Sequence, residues 1–396
     1  MTLTVKIAKT VYGGDGLGRL GDGRVIFVPG AFEGETVKTE IVEEKKKFVR
    51  GRLVELLEKS PERIEGAENA PGIIYSNLTF DGECRAKKVQ LKDFLSRARL
   101  WEGEITEPFR GHPLNYRNKV VYHFERRASG WALGYREEPS HKIVDVEYDP
   151  LAVKEINDKL PEIRKAVFAL LTTGSMKIRK DIERSGNVTI RWSEKSGVKW
   201  WIGEKAEGVT LKEVTAGKTF EVPAGGFYQV NPEVGDALVK EVAADFARTK
   251  DKFGNVLDLY CGVGVFGLSM NPVKLIGIES GRDAIDFAKR NAASLGATNA
   301  KFFAEQVGKN LKNIFIGPYT TVVVDPPRGG MEKGVPEFLA ASKAPRIFYV
   351  SCDPATMTRD LSAICRSYTI ESVKFFNMFP RTARFETLVS LKRNMV

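Results

Sequence analysis

Beyond Asn231 the chain alternates short apolar runs with longer amphipathic stretches, and this alternation constrains the fold more than any other feature. The runs are "NVLDLY", "KLIGIE", "KFFAE", "TTVVVD" and "RIFYVS", each the length of one buried strand. Helical stretches such as "RDAIDFAKRNAASLG" lie between most of them. Ahead of them Val234, Leu238, Val242 and Phe246 recur every fourth residue, as one apolar helix face. Such a pattern predicts an α/β domain with a doubly wound parallel sheet. Ligands gather at the carboxyl ends of the strands in these sheets, so the polar residues that terminate the runs are the first candidates for chemistry.

Read in order, those ends are informative. The first, "LDLYCGVGVFGL", places Gly262 and Gly264 in the turn before a helix, where a missing side chain lets backbone approach a ligand. Taken alone, G-x-G fits many nucleotide folds. The second run ends in Glu279, placed to take both hydroxyls of a ribose. The turn lacks the third glycine of a dinucleotide fingerprint, carries Val265 at the next position, and is followed by no phosphate-binding lysine. Those departures favour S-adenosylmethionine, which has no pyrophosphate; an exposed structural glutamate is the alternative. The fourth run ends "VVVDPPRGG", with Asp325 just past apolar valines and two prolines fixing the backbone after it. A carboxylate there can accept hydrogen bonds from a planar base or an amine. The fifth gives "YVSCDPATMTRDL", with Cys352 between a strand and a helix opened by Asp353 as N-cap and Pro354 as first residue. The helix start is expected to favour the thiolate through its N–H groups and dipole, the alternative being an inert thiol.

Upstream, Leu3, Val5 and Ile7 alternate with polar residues, followed by the turn-rich "YGGDGLGRLGDG" and the run "RVIFVPGAF". Short strands broken by glycine predict a small OB-type β-barrel over residues 1–60. Lys45, Lys46, Lys47, Arg50 and Arg52 on it either line a nucleic-acid groove or form a solvated loop. "KSPERIEGAENAPG" reads as a linker, and "FDGECRAKKVQLKDFLSRARLW" as helix. Strand-like stretches ("KVVYHFERR", "GWALGYRE", "HKIVDVEY", "NVTIRWSE", "GVKWWIGE", "KTFEVPAGGFYQV") surround one helical stretch, "VKEINDKLPEIRKAVFALL". They predict an α+β central domain over 61–228, whose helical part at about 80–108 packs with the catalytic domain. Residues 229–396 form the α/β domain.

At 396 residues, two or three domains are expected. Hydrophobic residues at 42% and charged residues at 28% exclude wholesale disorder. A formal net charge of +10 makes a polyanion a natural partner, most simply RNA or DNA. No apolar run reaches the length of a membrane span, and "MTLTVKIAKT" has no signal-peptide core, so a cytoplasmic protein without membrane contact is expected. Cys84, Cys261, Cys352 and Cys365 show no C-x-x-C spacing, and His112, His123 and His141 do not cluster with them, which argues against a disulfide framework or a zinc site.

Taken together, "GGFYQVNP", "LDLYCGVGVFGL", "GIE", "VVVDPPRGG", "YVSCDPATMTRDL" and "FPRTARFETLVSL" resemble, in order, the RNA uracil-C5 methyltransferases that make 5-methyluridine in tRNA and rRNA. The N-terminal stretch resembles the family's RNA-binding TRAM module, and "LNYRNKVVYHF" and "LGYREEPSHKIVDVEYDPL" its central domain. The resemblance implies Cys352 as nucleophile and Glu386 as general base. It implies Gln229, Tyr260, Gly262, Glu279, Gln306 and Asp325 around the methyl donor S-adenosyl-L-methionine. Gln229 and Asp325 would also meet the target base, together with Arg328, Arg117 and Lys119. The chemistry agrees: uracil C5 is a poor nucleophile until a thiolate adds at C6. The target base must also leave its stack, and Phe227, Tyr228 and Phe376 are the aromatics near the motifs. RNA is the implied partner, rRNA in preference to tRNA because of the barrel, and the protein is expected to act as a monomer.

The chain departs from the family pattern in three ways. Many members hold an iron–sulfur cluster on four cysteines; here "GAENAPGIIYSNL" has none and Asp149 stands near the fourth position, so no cluster is expected. Val265 replaces a common polar residue, and Arg384 stands where histidine is frequent. Two other readings remain at this point: an RNA cytosine-C5 methyltransferase, against which stands the absence of cysteine in "DPPRGG", and a non-catalytic RNA-binding assembly factor, which would need neither Cys352 nor Glu386.

Overall fold

The computed structural model describes residues 2–65, 72–137, 142–173, 185–203, 206, 208–309 and 311–394, in two compact units. Parts of the linker reading at 59–72, of the cysteine-poor stretch "GAENAPGIIYSNL", and His141 lie outside the described residues.

The first unit spans 1–105 and takes back the short segment Phe379–Phe385. Its strands β1 (Thr2–Thr10), β2 (Gly16–Arg19), β3 (Val25–Val28), β4 (Thr36–Glu44) and β5 (Phe48–Glu58) close into a barrel in the order β1-β2-β3-β5-β4. Alternation sends Val5, Ile7, Ile26, Val28, Val37 and Val49 into one core. Helix α1 (Phe80–Arg97) follows, capped by Thr79 Oγ1, which accepts from the Gly82 N–H at 3.0 Å. Inside it Lys87 Nζ donates to Glu83 Oε1 at 2.7 Å, both side chains fully buried, and to the Phe379 carbonyl at 3.1 Å. The returning segment answers: the Arg381 N–H donates to Glu83 Oε1 at 2.9 Å. A two-residue strand, β6 (Ile105–Thr106), lies where the chain leaves this unit.

The second unit begins with an antiparallel sheet of β7 (Lys119–Arg127), β8 (Gly130–Arg136), β9 (Ile143–Asp145), β10 (Ser185–Ser193) and β11 (Gly197–Ile202), in the order β11-β10-β7-β8-β9. Helix α2 (Lys154–Thr173) packs Ile156, Leu160 and Val167 against Tyr122, Phe124, Val188 and Ile190. Asp149, at the position the family resemblance gives to a cysteine, is buried and accepts from the Tyr122 and Tyr135 hydroxyls at 3.0 and 2.6 Å. Among the described residues no group of three or more His, Cys, Asp or Glu gathers as a metal site.

A hairpin, β12 (Thr210–Thr215) and β13 (Lys218–Pro223), leads to α3 (Pro232–Ala247), which buries Val234, Leu238, Val242 and Phe246 as its spacing requires. Then come β14 (Asn255–Leu259), α4 (Val265–Ser269), β15 (Lys274–Glu279), α5 (Arg282–Ser294), β16 (Ala300–Ala304), β17 (Thr320–Val324), α6 (Val335–Ala341), β18 (Arg346–Ser351), α7 (Pro354–Ile364), β19 (Tyr368–Phe376) and β20 (Glu386–Arg393). The strand order is β16-β15-β14-β17-β18-β20-β19, parallel as far as β18 and antiparallel thereafter. All five sequence-read strands are present, but the sheet is mixed rather than purely parallel. Strand β19 follows the crossover helix α7 and runs in the direction of β18, whereas β20 returns from β19 without a helix and inserts antiparallel between the two. Among the described residues no helix is long and apolar enough to cross a membrane.

Candidate active site

The ends of β14, β15, β17 and β18 bring their polar residues to one edge of the sheet. After β14 the backbone turns through left-handed conformations at Tyr260 (φ 62°), Gly262 (φ 53°) and Gly264 (φ 87°). Only the glycines adopt these without strain, which is why the turn needs them. A pocket opens beside the turn, lined by Gln229, Tyr260, Gly262, Val265, Asp325 and Phe227 among others. Four of the residues predicted around the donor are therefore together. Glu279 ends β15 as read, its Oε1 accepting from Ser280 Oγ (2.9 Å) and the Gly281 N–H (2.8 Å). Gln306 is exposed, and neither it nor Glu279 is among the lining residues. Phe227 is 75% exposed, whereas Tyr228, which also lines the pocket, and Phe376 are buried, so Phe227 is the exposed ring of the three candidate aromatics.

Register fixes the second half of the site. β18 and β20 are antiparallel with Ser351 opposite Thr387, so the next pair along is Cys352 and Glu386. Residues directly opposite in such a ladder have Cβ atoms about 5 Å apart. Asp325 leaves the neighbouring β17, and α7 starts as the sequence indicates: Asp353 Oδ1 accepts from the Ala355 and Thr356 N–H groups at 3.0 and 3.2 Å. Glu386 is 4% exposed and its Oε2 has no hydrogen-bond partner. Burial raises the Glu386 carboxyl well above its ordinary range, Asp325 adds to this, and Arg328 opposes it. Burial likewise lifts Asp325 to about 7.

The thiol runs against the sequence expectation. Burial, then Glu386 and Asp325, push Cys352 up to about 12, with Arg328 the opposing cation and Asp353 adding to the rise. The helix-start N–H groups that would favour a thiolate are already occupied by the Asp353 carboxylate, and the surrounding negative charge outweighs the dipole. At rest the thiol holds its proton.

The remaining predicted residues have other neighbours. Arg117 lies among Tyr116, Tyr135 and Asp149, inside the central domain. Lys119 Nζ reaches the Gly226 carbonyl at 3.5 Å, where Arg191 Nη1 also donates, at 3.2 Å. Both cations thus hold the loop that carries Phe227 and Gln229. Arg384 donates to the Tyr12 hydroxyl at 3.1 Å within the first unit.

Three residues of the neighbourhood escaped the sequence reading. Asp258 is wholly buried in β14, accepts from the Gly267 N–H at 2.9 Å, and leaves Oδ1 unpartnered; burial lifts it to about 7. Its signal was a lone charge inside an apolar run. Glu332 accepts from the Tyr260 hydroxyl (2.6 Å) and the Gly308 N–H (3.2 Å), anchoring the strained turn. Asp360 in α7 accepts from the Met331 N–H (2.8 Å) and the Tyr349 hydroxyl (2.9 Å).

Comparison with known proteins bears directly on this arrangement. A family model described as tRNA (Uracil-5-)-methyltransferase matches residues 208–394, and a TRAM domain model matches 1–54. An uncharacterized RNA methyltransferase of Clostridium acetobutylicum is 30% identical over 438 aligned residues, covering 96% of this chain and 94% of the relative. The chain belongs to the TRAM-containing RNA uracil-C5 methyltransferase family. This methyltransferase is also 26% identical over 428 residues to a 23S rRNA (uracil(1939)-C(5))-methyltransferase of Shewanella sediminis, covering 98% of this chain and 95% of that one. Its fold matches the Pyrococcus abyssi tRNA (uracil-54, C5)-methyltransferase in complex with S-adenosyl-L-homocysteine, with TM-score 0.75, 21% identity, and 98% and 99% of the two chains covered. The methyltransferase uses S-adenosylmethionine, and the pocket suits it: a glycine turn, an exposed aromatic, and one carboxylate, Asp325, for a cation.

Proposed function

We propose that this enzyme forms 5-methyluridine in 23S rRNA with Cys352 as nucleophile and Glu386 as base. The observation that carries the reading is the facing register of Cys352 and Glu386 at the ends of β18 and β20, beside the Asp325 edge of the pocket. Cys352 Sγ adds to C6 of the flipped-out uracil, leaving an enolate with electron density at C5. The thiol proton has to move as that bond forms, and Asp325, one of the two carboxylates beside the thiol, takes it, which leaves Glu386 free to accept the later C5 proton. Arg328, the cation that opposes both rises, faces the charge that develops on the uracil oxygens. C5 then takes the methyl group that the bound donor supplies as an electrophile. Glu386 removes the C5 proton, and the electrons of that bond expel the cysteine sulfur. A carboxylate raised by burial is the stronger base for this step. Gln229, Tyr260 and Gly262 hold the donor in the pocket and Glu279, at the end of β15, takes its ribose, with Phe227 free to stack on a base or on adenine.

The support for rRNA is the 23S rRNA activity carried by the names of relatives at 26% and 27% identity; the barrel does not discriminate, because the tRNA enzyme of matching fold covers 98% of this chain. The test is transfer of labelled methyl from the donor to RNA of cells lacking the protein, with nucleoside mass spectrometry and mapping of the labelled position. Label in 23S rRNA as 5-methyluridine is expected. Label in tRNA reassigns the substrate, and 5-methylcytidine overturns the chemistry. Cys352→Ala is expected to abolish turnover. Glu386→Gln should slow it by about 10² to 10⁴-fold and leave a covalent protein–RNA adduct on a denaturing gel.

A further inference from the structure

Well away from the glycine turn in sequence, a second, open concavity is lined by Lys195, Ser196, Lys199, Lys212, Glu221 and Arg290, with Thr210 at its margin. Its residues come from the β10–β11 turn, β11, β12, β13 and α5, so no local sequence run reveals it. Four cations face one carboxylate there. Glu221 lies directly opposite Lys212 across the hairpin and 3.6 Å from Arg290 Nη1, so one acid is shared between two of the cations.

The cations are held, not merely adjacent. Ser196 Oγ accepts from the Lys212 N–H at 2.8 Å, tying the turn that bears Lys195 to the strand that bears Lys212. Ser193 opposes Gly197 and Arg191 opposes Lys199 in the β10–β11 ladder, which puts Lys199, itself exposed, on the face away from the core that packs on α2. On the other wall the side chain of buried Asn291, next to Arg290, accepts from the Glu221 N–H at 2.7 Å and donates to the Glu221 carbonyl at 3.0 Å. The same amide donates to the Val263 carbonyl at 3.1 Å, and Val263 lines the donor pocket. The cationic wall is therefore braced to the methyl-transfer site through one side chain.

We propose that this concavity binds the phosphodiester backbone of the RNA substrate. Its lining offers cations and hydroxyls and no aromatic ring, which suits phosphate contacts that position a strand and not contacts that read bases. β13 runs from the concavity directly into the loop carrying Phe227 and Gln229. A strand held there approaches the pocket in which its uracil reacts. The proposal rests on the RNA methyltransferase reading.

The test compares the whole protein with Lys195→Ala/Lys199→Ala/Lys212→Ala, measuring affinity for a uridine-containing oligoribonucleotide across a salt series, and donor affinity by calorimetry. The triple variant should lose about tenfold or more in RNA affinity, with its log K against log salt slope shallower by about two. Donor affinity should be unchanged, which reports an intact fold, and the corresponding triple Lys→Arg variant should restore binding. A parent that methylates RNA beside a triple variant that keeps the full slope overturns the proposal. Loss of polyglutamate binding with an unchanged RNA slope also overturns it, in favour of an acidic protein partner. A parent that transfers no methyl group to RNA fails the proposed reaction instead, so the two failures are distinguishable.

Discussion

At Cys352 two electrostatic influences compete, and the outcome is measurable without RNA. Arg328 pulls the thiol toward ionisation, while burial and the Glu386 and Asp325 carboxylates push it up to about 12. Removing a negative neighbour favours the thiolate, so Glu386→Gln should lower the thiol pKa and Asp325→Asn should do so less, in the order of their influence. Near neutral pH each unit of lowering raises the thiolate fraction about tenfold, and iodoacetamide alkylation of Cys352 should quicken accordingly. An Arg328→Ala protein should move the other way. If neither carboxylate variant reacts faster than the parent, the carboxylates do not control this sulfur. The position of Cys352 at a strand end was legible in the sequence, because an apolar run followed by Asp-Pro marks a junction. Its ionisation was not, because Glu386 and Asp325 come from strands that no local pattern places next to β18.

Elements are held by similar long-range contacts. Helix α7 clamps the loop that follows Asp325 at three points: Thr356 Oγ1 on the Arg328 carbonyl (3.3 Å), Arg359 on the Gly329 carbonyl (3.0 Å), and Asp360 on the Met331 N–H (2.8 Å). Gly330 sits in the middle with φ 76°, facing Arg359 and Asp360 so closely that a Cβ would collide with both. Asp360→Ala leaves the Met331 N–H and the Tyr349 hydroxyl buried without their acceptor, at about 1–3 kcal/mol each. Urea unfolding should show that loss, and turnover should fall as the loop carrying Arg328 loosens; Asp360→Asn, which keeps one oxygen, should recover part of both. The motif "TRDL" gave no sign of this, since its partners lie about thirty residues upstream. Helix α1 teaches the same lesson in the other unit. Glu83 and Lys87 have the i, i+4 spacing of a solvated pair, yet both are buried because Arg381, nearly three hundred residues later, completes their hydrogen bonding.

Across the whole molecule the α/β architecture of the last domain was readable because five apolar runs with intervening helices admit few topologies. The antiparallel insertion of β20 between β18 and β19 was not, and with it went the reason Glu386 faces Cys352. Net charge was readable too, but its distribution was not. Of the cations on the barrel, Lys45 pairs with Glu43 at 2.9 Å, Arg50 with Asp15 at 3.4 Å, and Arg52 with Glu40, while Lys46 and Lys47 stand exposed. The formal charge of +10 is thus partly spoken for within the barrel itself. Binding of a polyanion releases counterions only where protein cations replace them, whereas the donor brings a net charge of about one to a pocket with one carboxylate, Asp325. RNA affinity should therefore fall steeply with salt, by about 10³-fold between 50 and 200 mM if about six phosphates are contacted. Donor affinity over the same range should change by no more than about twofold, since its contacts lie within the Debye length at every concentration used. Lys46→Ala/Lys47→Ala should make the RNA slope shallower by about one, and Arg52→Ala, already matched by Glu40, by less. Equal slopes for all three proteins would mean that the RNA does not touch this face of the barrel.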